Sequence, residues 1–375
     1  MRPAASTRPM PRPSSRYRKP ASSSLRRSSS YCIRDRFSWG NAPGNRGRWR
    51  FIPAYTVPRQ KGLGGGENKA LLLTNSSRIG ACNLLLFQQP MRSILTVITA
   101  MILFPSCQQG QSTELALNQQ LAYTFSNVAY GPDSAQRMDV YLPAGRDRQS
   151  TPVMLLVHGG GWSGGNKSEF NAYIEDFRRR MPGYAFFNIN YRLVNGSGTL
   201  LPQQEADVAA ALRFVQAGAA RYGIDTGRVV LLGASAGAHL ALLQAYKHPH
   251  PSVRAVVDFF GPTDLVRMAE KPWHPLVPLA LQTVIGKTYR EAPEAYRAAS
   301  PLAFVRPQNP PTLILQGGAD NVVHPDQSRA LADRLEASGV AHELVLYPSA
   351  RHGWQGTTLH RSFDTVQRFL ERHVP

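Results

Sequence analysis

The sequence is poor in cysteine, with three in 375 residues: Cys32, Cys82 and Cys107. Residues 108–375 contain none, so disulfides cannot hold the body of the chain together. The sequence also lacks a metal-ligand cluster, a nucleotide-binding loop and a redox motif. These absences argue against metalloenzymes, nucleotide-dependent enzymes and disulfide oxidoreductases, and we expect neither a metal nor a cofactor.

Acidic residues are scarce at the start of the chain: residues 1–90 hold two of the 24 acids but 17 of the 43 basic residues. Residues 91–375 therefore carry a net charge of only +4, so the total of +19 does not indicate a nucleic-acid partner for the body. The leader, 1–90, is rich in Arg, Ser, Pro and Gly, and we predict that it is disordered. A basic arm that binds nucleic acid is the alternative.

Residues 91–107, MRSILTVITAMILFPSC, have a charged start, an apolar core at 94–104 and a small residue before Cys107. This order is typical of a secretory signal, and the core is shorter than the roughly 20 apolar residues of a membrane-spanning helix. Cys107 resembles the acylated cysteine of a bacterial lipoprotein, although Phe104 stands where those signals usually have Leu. We expect an exported protein, periplasmic or anchored to the outer membrane through Cys107. The alternative is a buried apolar helix.

A secretory signal is read at an N-terminus, which predicts that translation starts at Met91 and that residues 1–90 are an over-extension of the reading frame. Residues 108–120 then form a tether, and residues 121–375 form one domain, large enough for a single core. N-terminal sequencing of the native product tests the prediction.

Strand-like apolar runs alternate with helix-like stretches through the domain. Strands are predicted at 137–142, 153–158, 185–191, 229–233, 255–260, 312–316 and 343–347. Helices are predicted at 168–180, 203–222, 239–246, 328–338 and 362–373. This alternation predicts an α/β fold, with a mostly parallel sheet of about eight strands covered by helices on both faces. In such sheets the ligand site gathers at the carboxyl ends of the strands.

Ser235 lies in Gly233-Ala234-Ser235-Ala236-Gly237, between a buried strand and a helix. The turn must be very tight, and glycines two residues away on either side remove a collision with the neighbouring backbone. The pattern predicts an exposed hydroxyl at a helix N-terminus, where N–H groups favour a developing anion.

A second glycine loop, HGGGW, follows the strand at 153–158 and comprises His158, Gly159, Gly160, Gly161 and Trp162. Glycines let the main chain approach a substrate, and preorganised N–H groups stabilise the oxyanion of acyl transfer. The predicted donors are Gly160, Gly161 and Ala236. We expect His158 and Trp162 to hold the loop rather than to do chemistry.

A nucleophilic serine needs a base and an orienting acid, and two later strands end in loops that carry them, Asp320 and His352. The chain order Ser235, Asp320, His352 is that of a nucleophile-elbow hydrolase. His324 and Asp264 are the rival base and acid. His239 is expected to pack or cap in the first turn of the helix, and Asp225 precedes a strand at the wrong edge.

From about residue 121 onward the chain resembles serine esterases of the α/β-hydrolase fold that pair HGGGW with GxSAG. With Tyr130-Gly131 and the run Met138-Asp139-Val140-Tyr141-Leu142-Pro143, it is most similar to bacterial carboxylesterases related to feruloyl and acetylxylan esterases. It also resembles hormone-sensitive-lipase-like esterases, although their usual Asp-Tyr-Arg-Leu reads Asn190-Tyr191-Arg192-Leu193. The resemblance implies ester hydrolysis through an acyl-enzyme on Ser235, acting on small or glycan-linked esters.

Residues 271–299 form an apolar insertion, interpreted either as a small cap that walls the substrate pocket or as helices that cover the sheet edge. Two other functions occur on related folds. A prolyl-oligopeptidase-like peptidase would need a propeller of about 280 residues, for which the chain has no room. A non-catalytic binding module on the same fold typically loses a triad member, and none is missing.

Overall fold

The computed structural model describes residues 117–194 and 198–375. The predictions for the leader 1–90, for the segment 91–107 with Cys107, and for most of the tether 108–120 lie outside the described residues.

The described residues contain an eight-stranded sheet with the order β1-β2-β4-β3-β5-β6-β7-β8. The strands are β1 (Tyr123–Ala129), β2 (Arg137–Leu142), β3 (Val153–Val157), β4 (Ala185–Ile189), β5 (Val229–Ala234), β6 (Val253–Phe259), β7 (Thr312–Gly317) and β8 (His342–Tyr347). Strands β1 and β2 are antiparallel to their neighbours, and all pairs from β4 to β8 are parallel. The central strands β3 and β5 are buried along their whole length, as expected for parallel strands covered on both faces.

Helices lie on both faces of the sheet, as the alternation predicts. They are α1 (Ser168–Asn171), α2 (Ile174–Arg180), α3 (Leu201–Ala217), α4 (Ala219–Tyr222), α5 (Ala236–Tyr246), α6 (Leu265–Glu270), α7 (Val277–Ile285), α8 (Pro293–Ala298), α9 (Asp326–Ala337) and α10 (Gly356–His373). Buried apolar residues of α3, α5 and α9 form one core cluster with the sheet. Those of α1, α2 and α10 form a second cluster on the other face.

Several details differ from the prediction, and three of them have a clear cause. Strand β1 was not predicted because it lies at the sheet edge and buries none of its seven residues. The helix predicted at 203–222 is interrupted at Gly218, a poor helix former. The helix predicted at 168–180 is two helices, α1 and α2, separated by residues 172–173.

The insertion at 271–299 forms α7 and α8, which pack against α6. Its Trp273 ring lies 6.1 Å from the His324 ring in the loop after β7. The carbonyl oxygen of Ala299, at its end, lies 2.7 Å from His239 Nε2 on α5. Both contacts are with elements that begin at the carboxyl edge of the sheet.

Within the described residues, no helix is long and apolar enough to cross a membrane. The same residues contain no group of His, Cys, Asp and Glu side chains that could hold a metal ion.

Candidate active site

Ser235 forms the corner between β5 and α5, with φ 54° and ψ −121°. Positive φ is costly for a non-glycine residue, and the backbone around Ser235 holds it in place. Ser235 N donates to Phe259 O at 2.8 Å, and His239 N donates to Ser235 O at 3.0 Å. A Cβ on Gly233 would lie 2.4 Å from Gly237 O. Even a methyl group therefore cannot be accommodated there, which explains the glycine in the motif.

The structure brings Ser235, His352 and Asp320 into one hydrogen-bonded chain. His352 Nε2 lies 2.9 Å from Ser235 Oγ, and His352 Nδ1 lies 2.8 Å from Asp320 Oδ2. The three side chains come from the ends of β5, β7 and β8. The His352 side chain keeps one fifth of its surface exposed, whereas that of Asp320 is fully buried. The imidazole can therefore meet a substrate while its carboxylate partner is shielded from water.

Asp320 accepts four hydrogen bonds from the described residues. Its Oδ1 accepts from Val322 N at 2.8 Å and Val323 N at 3.0 Å. Its Oδ2 accepts from Gln316 Nε2 at 3.0 Å, in addition to His352 Nδ1. Donors to a carboxylate stabilise its ionised form and fix its orientation. The role of Gln316 was not predicted from the sequence. It could have been inferred from the position of Gln316, a polar residue near the end of the otherwise apolar strand β7.

The HGGGW loop lies against the nucleophile. A Cβ on Gly159 would lie 3.0 Å from Ala234 O and 3.4 Å from Ser235 Cβ. Gly160, at φ 106°, could not carry a side chain, because its Cβ would lie 2.2 Å from Gly164 O. The N–H groups of Gly160 and Gly161 have no hydrogen-bond acceptor among the described residues.

The third predicted donor, Ala236, is the first residue of α5. The N–H groups of the first helical turn lack an intrahelical acceptor and carry the positive end of the helix dipole. Free N–H groups thus lie on two elements that meet beside Ser235, the glycine loop and the start of α5.

His158 supports the loop through its ring. Its Nδ1 lies 2.8 Å from Gly159 O, and it stacks on Tyr191 with ring centroids 4.4 Å apart. Tyr191 Oη donates to His158 O at 3.0 Å. Burial lowers the pKa of His158 to about 4, so the imidazole is neutral at ordinary pH. This arrangement agrees with the expected supporting role.

The loop between β3 and α1, which begins with HGGGW, is held at its far end by a buried ion pair that was not predicted from the sequence. Lys167 Nζ donates to both carboxylate oxygens of Asp139 on β2, at 2.8 and 2.7 Å. Lys167 N donates to Asn190 Oδ1 at 2.6 Å. Asn190 stands where the hormone-sensitive-lipase-like pattern has Asp, and here its side-chain oxygen anchors the loop.

The rival candidates have other partners. His324 lies 3.4 Å from Asp326, and Asp264 caps α6 by accepting from Arg267 N at 3.0 Å. Asp225 accepts from Gly227 N and Arg228 Nε in the turn before β5. In the described part of the chain, none of these groups is hydrogen-bonded to Ser235 or His352.

His239 is buried in α5, as expected of a packing residue.

A small cavity lies behind the elbow. Its volume of about 20 Å³ leaves room for about one water molecule. The lining is Glu169, Phe170, Tyr173, Ala234, Phe259, Leu359 and Phe363. Burial raises the pKa of Glu169, the one carboxyl in this lining, to about 7.

The mostly parallel sheet, the serine elbow after β5, the acid after β7 and the histidine after β8 define the α/β-hydrolase fold. Within that class, the chain belongs to the BD-FAE family, whose family model matches residues 138–335.

Three relatives illustrate the likeness. Esterase LipC of Mycobacterium tuberculosis is 29% identical over 60% of this chain and 59% of its own length. Esterase LipQ of the same organism is 30% identical over 68% of this chain and 63% of its own. The thermophilic esterase Est2 of Thermogutta terrifontis, solved with butyrate bound, is 25% identical with a TM-score of 0.55, covering 67% of this chain and 94% of that one. The chain thus spans about three fifths of the length of the curated relatives it matches.

Proposed function

We propose that the chain is a serine hydrolase that cleaves carboxylic esters through an acyl-enzyme on Ser235. The observation that carries the proposal is the hydrogen-bonded chain from Ser235 Oγ through His352 to Asp320. Beside it lie the N–H groups of Gly160 and Gly161, which have no acceptor in the part of the chain that the structure describes. The relatives named as esterases support the same reaction class.

In the acylation step, His352 Nε2 takes the proton of Ser235 Oγ as that oxygen attacks the ester carbonyl carbon. Asp320 accepts from His352 Nδ1, which fixes the tautomer and stabilises the imidazolium that forms. The tetrahedral intermediate then collapses, the bond to the alcohol oxygen breaks, and His352 returns its proton to the leaving alcohol. Water repeats the sequence in deacylation, and the products are the carboxylic acid, the alcohol and free Ser235.

The N–H groups of Gly160, Gly161 and Ala236 donate hydrogen bonds to the former carbonyl oxygen and stabilise its negative charge. One such donor typically contributes about 3 kcal/mol to lowering the barrier. The supporting residues Gly159, Trp162, Gly233 and Gly237 shape the loop and the elbow. No step requires a cofactor.

The substrates we propose are small-molecule or glycan-linked esters. Est2 binds butyrate, a short carboxylate of the kind that an ester hydrolase releases. The insertion 271–299 lies beside the loop that carries Asp320, since its Trp273 ring lies near the His324 ring. The insertion can therefore form a wall of the pocket for the acyl or alcohol group.

Hydrolysis of 4-nitrophenyl esters from acetyl to dodecanoyl, of acetylated xylan and of methyl ferulate tests the proposal. We expect Ser235→Ala to lower kcat by at least about 1,000-fold on every ester that the wild type cleaves. Ser168→Ala, an exposed serine on α1, is the matched control and should retain full activity. Equal rates for the wild type and Ser235→Ala would refute the nucleophile, and cleavage of proline-containing peptides alone would favour a peptidase.

The same proposal includes export, supported by the sequence of residues 91–107. Acylation at Cys107 would attach the enzyme to a membrane. Intact mass of the native product checks this: a lipid-modified N-terminal Cys107, lost in Cys107→Ala, supports anchoring. An unmodified N-terminus beyond Cys107 would indicate ordinary secretion instead.

A further inference from the structure

Trp162 closes the HGGGW loop in a conformation that a tryptophan does not adopt freely. Its φ is 62°, in the left-handed region, directly after Gly161. For a non-glycine residue this region costs about 1–2 kcal/mol, so neighbouring groups must hold the residue there. The side chain is buried, with 6% of the residue exposed.

Three hydrogen bonds hold Trp162. Gln204 Nε2 and Val194 N donate to its carbonyl oxygen, at 2.7 and 3.0 Å. Its indole Nε1–H donates to His239 Nδ1 at 3.1 Å, and the two rings meet edge to face with centroids 5.3 Å apart. His239 is the only one of these partners that belongs to α5, the helix that starts at the nucleophile.

The partners of His239 fix its tautomer. Nε2 lies 2.7 Å from Ala299 O, and a carbonyl oxygen only accepts, so Nε2 carries the proton. The indole N–H only donates, so Nδ1 must offer a lone pair. The imidazole is therefore neutral, and burial, which lowers the pKa of His239 to about 4, keeps it neutral across the ordinary pH range.

His239 is also tied to Ser235 directly. It follows the serine by one helical turn, and its own N–H donates to Ser235 O at 3.0 Å. His239 thus joins the nucleophile, through its backbone N–H, to the residue that follows Gly161, through its side chain. It also reaches Ala299, the last residue of the insertion.

We infer that His239 is a positioning residue of the proposed oxyanion site, which holds Trp162 so that the N–H groups of Gly160 and Gly161 point toward the carbonyl oxygen of a substrate on Ser235. The inference rests on the proposed function. Loss of the His239 contact lets the loop relax from its left-handed turn, which weakens binding of the transition state more than binding of the ester.

Steady-state kinetics on a 4-nitrophenyl ester test the inference, together with inhibition by an aryl trifluoromethyl ketone, which forms a tetrahedral oxyanion on a serine. We expect His239→Phe to lower kcat by about 10- to 100-fold with KM unchanged within about twofold. The inhibition constant of the ketone should rise by the factor by which kcat/KM falls. His239→Gln can accept from the indole and donate to Ala299 O, and should recover most of the activity.

A double-mutant cycle separates this role from general packing. Trp162→Phe removes the indole N–H, and we expect a loss similar to that of His239→Phe, with the double variant no worse than either single one. If His239→Phe does not fold, Trp162→Phe decides the matter by the same criteria.

Three results would overturn the inference: kcat retained within about twofold in the folded variant, a loss confined to KM, or losses that add in the double variant. Ser235→Ala gives the baseline. A wild type no faster than Ser235→Ala refutes the proposed function itself, whereas an active wild type with an unaffected His239→Phe refutes only the positioning role.

Discussion

Asp320 and Asp258 are two buried carboxyl groups near the carboxyl ends of neighbouring strands, and their surroundings differ. Asp320, after β7, accepts four hydrogen bonds, one of them from His352. Asp258, in β6, accepts one, from Gly261 N at 2.7 Å, and its Oδ2 has no partner in the described part of the chain. The two residues therefore separate the effect of burial from the effect of hydrogen bonding.

Burial and hydrogen bonding act in opposite directions on a buried carboxyl group. Burial disfavours a carboxylate, and it raises the pKa of Asp258 to about 7 against the opposing effect of its donor, Gly261 N. Donors favour the ionised form, and the proposed mechanism needs Asp320 ionised beside His352. Burial alone does not enable a carboxyl group to orient a catalytic histidine, because this role also requires hydrogen-bond donors that stabilise the carboxylate.

The largest effect should come from removing the charge at Asp320. In Asp320→Asn the amide oxygen should face the two backbone donors, Val322 N and Val323 N, so that the amide NH2 faces His352 Nδ1 and favours the unproductive tautomer. We therefore expect kcat to fall by about 1,000- to 10,000-fold. Ester hydrolysis measures this. Asp258→Asn is the matched control at a comparably buried site and should keep kcat within about threefold. If both variants lost activity equally, the distinction between the two carboxyl groups would be wrong.

Asp258 should instead affect stability. Its pKa in the folded state, about 7, lies above its ordinary value of 3.8, so the folded chain binds more protons than the unfolded chain between these values. This group therefore contributes a stability that is complete below pH 4 and is lost as the pH rises through 7, about 4 kcal/mol of unfolding free energy in total.

Thermal unfolding between pH 4 and 8 checks this prediction. The fall of Tm with rising pH should be shallower in Asp258→Asn than in the wild type. Asp333→Asn, on the exposed side of α9, is the control and should leave the slope unchanged. Parallel curves for the wild type and Asp258→Asn would contradict the assigned pKa.

Gln316 tests the support of Asp320 without replacing a member of the proposed triad. Gln316→Leu keeps the side-chain size but removes the donor to Asp320 Oδ2, and we expect kcat to fall by about tenfold, the effect of about 1.4 kcal/mol. Ser328 donates to Gln316 Oε1 at 2.8 Å. Ser328→Ala should therefore cost less than about threefold, because the Gln316 donor remains. A larger loss for Ser328→Ala than for Gln316→Leu would argue against this chain of support.

Glu169 should give the smallest effect. Its pKa is also raised to about 7 by burial, so it adds to the same fall of stability with rising pH. Solvent reaches Glu169, whereas Asp258 is fully buried, so screening weakens its contribution. Glu169→Gln should flatten the pH profile of Tm less than Asp258→Asn does. The opposite order would show that exposure does not weaken the contribution of Glu169.

The fold was largely predictable because the buried parallel strands are continuous apolar runs. Each of the seven strands predicted from such runs is present, within two residues at either end. Strand β1 has no such signal, since its residues alternate between partly and fully exposed. The breaks within the predicted helices, such as that at residues 172–173, depend on packing that a local pattern does not contain.

The three members of the proposed triad were identifiable because each follows a predicted strand. The contacts that hold the loops around them were not. Lys167 meets Asp139 28 positions earlier, and His239 meets Trp162 77 positions earlier. Such pairs depend on how strands are ordered in the sheet, which no stretch of sequence encodes locally. Polar residues inside apolar segments, such as Gln316 and His239, are the signal that remains.

Covalent labelling tests the central claim most directly. An organophosphate ester such as diethyl 4-nitrophenyl phosphate transfers its phosphoryl group to an activated serine and releases 4-nitrophenol. Peptide mass spectrometry of the inactivated protein should show one diethylphosphoryl group per chain, on Ser235, and none in Ser235→Ala. A label on another residue, or an unlabelled Ser235 in a folded protein, would contradict the account.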